Sequence, residues 1–219
     1  MVPSSLHGKA RPEREMTEPS GAIALWNHNT HYHSLVLNAA PEGAKTALDV
    51  GTGDGLLAHE LRETIPEVTG IDLDPDVLSR AREAHPDITW IAGDIMQTPL
   101  PEEHFDLVAS IATVHHLPDL TTGFNRLAAL TAPGGVLVII GCARSSQLFD
   151  YALDLVGTIQ HKALTRKHGY WQHSAPVEMR FPHTYAQVRR IAKTTLPGSA
   201  WRRLPLFRYA LIWRRAACN

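Results

Sequence analysis

The stretch Leu48-Asp49-Val50-Gly51-Thr52-Gly53-Asp54-Gly55 sets glycines at alternate positions between an apolar run and an amphipathic one. Glycine lets a backbone turn tightly and admits a ligand where a Cβ would otherwise stand. Backbone N–H groups at the start of a helix favour an anionic group. Carboxylates accompany the turn. Asp49 lies at its start. Asp72 comes 21 residues after Gly51, at the end of the next apolar run, where an acid accepts hydrogen bonds from ribose hydroxyls. Asp94 ends a third run in Ala92-Gly93-Asp94-Ile95, placed to reach an adenine amino group. The dinucleotide fingerprint G-x-G-x-x-G is not met, because the sixth position from Gly51 is Leu56 and the third glycine arrives one place early. Extra acids in place of a pyrophosphate cradle suit a nucleoside ligand that carries positive charge.

Histidines form the second chemical set. His115 and His116 follow an apolar run in Thr113-Val114-His115-His116-Leu117-Pro118-Asp119. Histidine changes charge near neutral pH and can take a proton from a reacting hydroxyl. Asp119 precedes a periodic run after a proline and reads as a helix cap rather than an acid. His28, His31 and His33 crowd into Trp26-Asn27-His28-Asn29-Thr30-His31-Tyr32-His33, but that spacing does not put three ligands on one regular face. With no HExxH pattern either, no metal is expected. Tyr170 and Trp171 offer aromatic walls for a flat acceptor.

These residues need a scaffold, and residues 46–142 supply an alternation. Apolar runs at 46–51, 67–74, 87–94, 104–114 and 134–143 read as strands. Helical periodicity over 55–65, from Pro75 through His85, and from Leu120 to the Pro-Gly-Gly turn at 133–135 separates them. Alternation of this kind, with continuous apolar strands, predicts a doubly wound, mostly parallel sheet buried on both faces. After Arg144 a long amphipathic helix (145–166), an aromatic loop (167–183) and a helix (184–196) precede two short runs that pair as an antiparallel hairpin.

Across Ala47–Gly55, Gly70–Pro75, Ala92–Val108 and Leu130–Ile140 the chain resembles the class I S-adenosylmethionine-dependent methyltransferases, with the motifs in the family's order. More loosely, residues 185–215 resemble the end of small bacterial members of the ubiquinone/menaquinone-methyltransferase-like group. The resemblance implies a Rossmann-like α/β fold with a seven-stranded sheet, a helical insertion after the fifth strand, and S-adenosyl-L-methionine as cofactor. It implies that Gly51, Thr52, Gly53 and Gly55 line the cofactor, with Asp49 near its methionine amino group. Asp72 falls on the ribose, and Asp94 and Ile95 fall at the adenine; Leu73 and Ser110 complete the cofactor-binding set. An N-terminal segment in such enzymes covers the methionine end, which makes Tyr32 and His33 cofactor-side residues. Trp26, His28, Tyr170 and Trp171 become candidates for the acceptor side. His115 and His116 are the candidate bases.

The chain has 219 residues, 44% of them hydrophobic and 20% charged, which fits a globular protein with a real core. Residues 1–20 read as a disordered arm and 21–219 as one domain, with a cofactor-binding core at 44–142 and an acceptor-side elaboration at 144–183. No run is long and apolar enough for a membrane span, and residues 1–21 lack the apolar region of a secretory signal. Cys142 and Cys218 have no CxxC spacing. A cytoplasmic enzyme acting on a small-molecule acceptor is expected. From Leu155 onward lysines and arginines are opposed only by Glu178, which raises a nucleic-acid acceptor as an alternative. Against it, the fourth strand reads Ser110-Ile111-Ala112-Thr113, where amino-methylating nucleic-acid enzymes carry an Asn- or Asp-Pro-Pro-aromatic motif. A non-catalytic binder of the cofactor or its demethylated product is a further alternative.

Overall fold

A computed structural model describes residues 26–171 and 181–217. The expected arm at 1–20, together with Gln172 and His173 of the aromatic loop, lies outside the described residues. The strands are β1 (Thr46–Val50), β2 (Glu67–Asp72), β3 (Thr89–Ala92), β4 (Phe105–Ile111), β5 (Thr131–Gly141), β6 (Ala200–Leu204) and β7 (Arg208–Arg214). They form one seven-stranded sheet in the order β3-β2-β1-β4-β5-β7-β6. The first five are parallel, and β7 runs antiparallel to both neighbours. This is the mostly parallel α/β sheet with a C-terminal antiparallel hairpin that the sequence predicts.

Helices α1 (His33–Leu37), α2 (Leu56–Arg62), α3 (Pro75–Ala84), α4 (Leu120–Leu130), α5 (Leu148–His168) and α6 (Tyr185–Thr195) complete the fold. Central strands are buried on both sides, so their apolar residues serve two cores. Ala47, Leu107 and Val136 pack with α2 and the N-terminal segment, whereas Leu48, Val108 and Leu137 pack with α4 and α6. The local signals operate as expected: Asp74 and Asp119 cap α3 and α4 by accepting the N–H groups of Asp76 and Thr122, and Pro75 opens α3.

Two of the departures from the expected boundaries have a clear local cause. α4 stops at Leu130 and β5 begins at Thr131, so the Pro-Gly-Gly segment lies inside the strand rather than before it. The ladder with β4 shifts register there, and a Cβ on Gly135 would stand 2.9 Å from the carbonyl oxygens of Ala132 and Asp106. β4 ends at Ile111 because Ala112 turns to a positive φ of 54°, and Val114–His116 then form a 3-10 turn.

Candidate active site

In an open parallel sheet, ligands bind beyond the carboxyl ends of the strands. Here β1 runs into Gly51, Gly53 and Gly55, all at positive φ (72°, 56° and 81°). Their surroundings differ. A Cβ on Gly51 would lie 2.0 Å from Oγ1 of Thr113, and one on Gly55 would lie 2.5 Å from the Trp90 ring. Around a Cβ on Gly53 nothing stands within 4 Å. Packing therefore dictates the outer glycines, while Gly53 leaves the turn open to an approaching ligand. The Gly53 N–H donates to Oδ2 of Asp72 at 2.9 Å, and Oδ1 accepts from the Asp74 N–H at 3.0 Å. Asp72 thus pins the turn to the end of β2 and keeps lone pairs for further donors.

Asp49 is buried beneath the turn, with Oδ2 accepting the Thr52 hydroxyl at 2.6 Å. Burial raises its pKa to about 6, opposed by Thr52, by His33 and by the Ala58 N–H, while the Asp72 charge adds to the rise. A sequestered carboxylate of this kind is relieved by a cationic partner. His33 lies beside it, itself buried, with Nδ1 2.9 Å from Oε1 of Glu60. Tyr32 is spent on anchorage: its hydroxyl donates to the Pro205 carbonyl at 2.6 Å, and burial lifts its pKa to about 12.

Of the other residues expected at the cofactor, Leu73 is 71% exposed, Ile95 is buried, and Ser110 is buried with its hydroxyl on the Val50 carbonyl at 3.2 Å. Asp94 accepts the Met96 N–H at 2.9 Å and the Gln97 amide at 3.0 Å.

The four acceptor-side candidates come together. Trp26 stacks on His161 (centroids 6.0 Å apart, 29° between planes) and meets Tyr170 edge-on at 5.9 Å. The Trp171 N–H donates to the Trp26 carbonyl at 2.9 Å. His28 Nε2 lies 3.0 Å from Nδ1 of His161. Burial, followed by Arg208, lowers the His28 pKa to about 4, so this ring is neutral at pH 7. His161 on α5, which sequence reasoning missed, touches Trp26, His28 and Tyr170. Its only signal is a histidine on the inner side of a long helix. Among the described residues no group of three or more His, Cys, Asp or Glu side chains could hold a metal ion.

His115 and His116 lie in the 3-10 turn after β4, their rings 4.0 Å apart. Thr113, two residues earlier, abuts Gly51, so this turn leans on the glycine turn. His115 meets Phe181 edge-on at 5.2 Å and lines a small cavity with Cys142, His183 and Tyr209. Its Nδ1 is buried without a hydrogen-bond partner. Burial, then His116 and Arg208, lower the His115 pKa to about 3.

The arrangement is an unobstructed Gly53, with Asp49 and Asp72 bonded into the same turn and two histidines in the neighbouring one. Residues 48–139 match the family model described as "Methyltransferase domain". A Mycobacterium tuberculosis (strain H37Rv) protein named uncharacterized methyltransferase Rv0089 is 40% identical over 191 residues, spanning 86% of this chain and 96% of that one. The chain belongs to the class I S-adenosylmethionine-dependent methyltransferases. The demethylmenaquinone methyltransferase of Chlorobaculum tepidum is 36% identical over 95 residues, 42% of this chain and 39% of that one. Among solved structures, the N-methyltransferase NodS of Bradyrhizobium japonicum in complex with S-adenosyl-L-homocysteine aligns with a TM-score of 0.56 at 19% identity, covering 84% of this chain and 86% of that one. The cofactor of this methyltransferase is S-adenosyl-L-methionine, and the open Gly53 beside an under-partnered buried carboxylate fits it.

Proposed function

We propose that this methyltransferase carries the cofactor's methyl group to a small-molecule acceptor by in-line displacement. The observation that carries the reading is the pairing of buried Asp49 with the unobstructed Gly53. Asp49 takes the cofactor's ammonium, with His33 and Tyr32 closing that end. Asp72 takes the ribose hydroxyls, while Leu73, Asp94 and Ile95 border the adenine. Gly51, Gly55, Thr52 and Ser110 hold the turn in shape.

The cofactor supplies a methyl group on an already strong leaving group, so the chain's task is alignment and exclusion of water. Trp26, His28, Tyr170 and Trp171 wall the acceptor side. His115, whose Nδ1 is buried without a hydrogen-bond partner, accepts the proton when the acceptor is a hydroxyl, and His116 stands behind it. The reading takes residues 21–219 as one domain working in the cytoplasm.

Incubating the protein with methyl-labelled cofactor and fractionated cell extract tests this. Label in the small-metabolite fraction is expected. Label confined to nucleic acid would overturn the acceptor class, and tight product binding with no transfer to any fraction would overturn catalysis.

A further inference from the structure

α5 is a helix turned inside out. Its acids face the protein. Asp150 is buried and accepts the N–H groups of Ser146 and Gln147 at 3.0 and 3.1 Å. Asp154 accepts the Ser145 hydroxyl and the Arg203 guanidinium, each at 2.5 Å. Gly157 is buried on the same side, where a Cβ would lie 2.9 Å from the Leu206 nitrogen. These inward contacts fix the helix with its apolar residues outermost.

Leu148 (90% exposed), Tyr151, Leu155 (63%) and Ile159 (62%) succeed one another at helical spacing along the outer face, with Phe149 and Val156 on its flank. Lys162 and Arg166, both exposed, continue the same line. The helix's acids are Asp150 and Asp154, so its outer face carries cations and no carboxylate. Isolated exposed apolar residues need no explanation, but an aligned stripe marks an interaction surface.

We propose that this face docks on an anionic lipid surface. An amphipathic helix that lies in the membrane interface combines an apolar stripe with flanking lysines and arginines, and both are present here in register. Leu148, Leu155 and Ile159 enter the acyl boundary, and Lys162 and Arg166 meet the headgroups. A second copy of the chain fits less well. Pairing this face with itself brings Lys162 and Arg166 against apolar residues or against each other, with no acid to receive them.

Sedimentation of the full chain with vesicles of phosphatidylcholine, alone or mixed with phosphatidylglycerol, tests the proposal. Binding is expected only with phosphatidylglycerol present, and it weakens as salt is added. The pair Leu155→Gln/Ile159→Gln weakens binding at least about tenfold, and Lys162→Gln/Arg166→Gln by about thirtyfold. Both pairs lie on the exposed face, so each variant keeps the parent's melting temperature and its affinity for S-adenosylhomocysteine. The proposal fails if the chain ignores both vesicle types, if it binds them equally, or if the variants bind as the parent does. It also fails if ultracentrifugation finds a dimer that Leu155→Gln/Ile159→Gln dissociates, because a second copy then covers the face.

Discussion

The hydroxyl of Thr52 donates to Oδ2 of Asp49 at 2.6 Å, and both side chains are buried beneath the glycine turn. That contact only partly offsets the effect of burial, which leaves the carboxyl titrating at about 6.

Cofactor affinity therefore depends on pH in one direction. Asp49 must be ionised to pair with an ammonium, so S-adenosylhomocysteine binding holds steady above pH 6. Below that it weakens by about tenfold per pH unit. Calorimetry across this range checks it, and Asp49→Asn binds weakly with no such slope. Folding stability runs the opposite way. The folded pKa lies above the usual 3.8, so the folded state holds the proton more tightly, and this stabilisation is lost as pH rises through 6. At pH 7 Asp49→Asn is expected to raise the unfolding free energy of the unliganded protein, by at most about 3 kcal/mol.

The glycines of the turn separate by substitution. Gly53→Ala meets no atom and carries only the strain of its positive φ, about 1–2 kcal/mol. Its methyl group projects into the approach to the turn, so cofactor affinity falls more than stability does. Gly51→Ala carries the same strain and also collides with Thr113. Urea melts should rank it clearly below Gly53→Ala in stability.

For a hydroxyl acceptor, His115→Ala should lower kcat by about a hundredfold while leaving product affinity unchanged. Because the His115 pKa sits near 3, the parent's rate should show no inflection from this residue between pH 5 and 8. An unchanged kcat in His115→Ala would contradict the assignment.

Arg203 is held from several sides. Its guanidinium lies 3.8 Å above the Tyr185 ring, donates to Asp154, and reaches the carbonyls of Leu204 and Arg208. Arg203→Met removes the cation from buried Asp150 and half-buried Asp154 and should cost roughly 3–5 kcal/mol. Adding Asp150→Asn and Asp154→Asn should recover part of that loss, which a denaturant-melt cycle would quantify.

Much of this was legible in the chain. Strands β1 to β4 and the glycine turn announce themselves because continuous apolar runs ending in Gly and Asp have few other uses in a folded protein. The Asp119 cap followed from a proline and a periodic run. What escaped were contacts between distant residues. Nothing local marks Thr113 as the neighbour that forces Gly51, or Glu60 as the partner of His33. The periodicity of α5 shows an apolar stripe but not which way it points. That is settled by Arg203, which claims the helix's acids from β6. The end of β4 at Ile111 was hidden because Ala112 has no compositional reason to adopt a positive φ.

One ring links the cofactor turn to the rim of the sheet. Trp90, on the outermost strand β3, fills the space that a side chain at Gly55 or Gly70 would need, and its indole N–H is tethered to the His85 carbonyl at 3.0 Å. A larger residue at either glycine is tolerable only if position 90 shrinks, and a smaller residue at 90 leaves a void beneath the turn. Gly55, Gly70 and Trp90 thus constrain one another sterically, and a change at one is expected to call for a change at another.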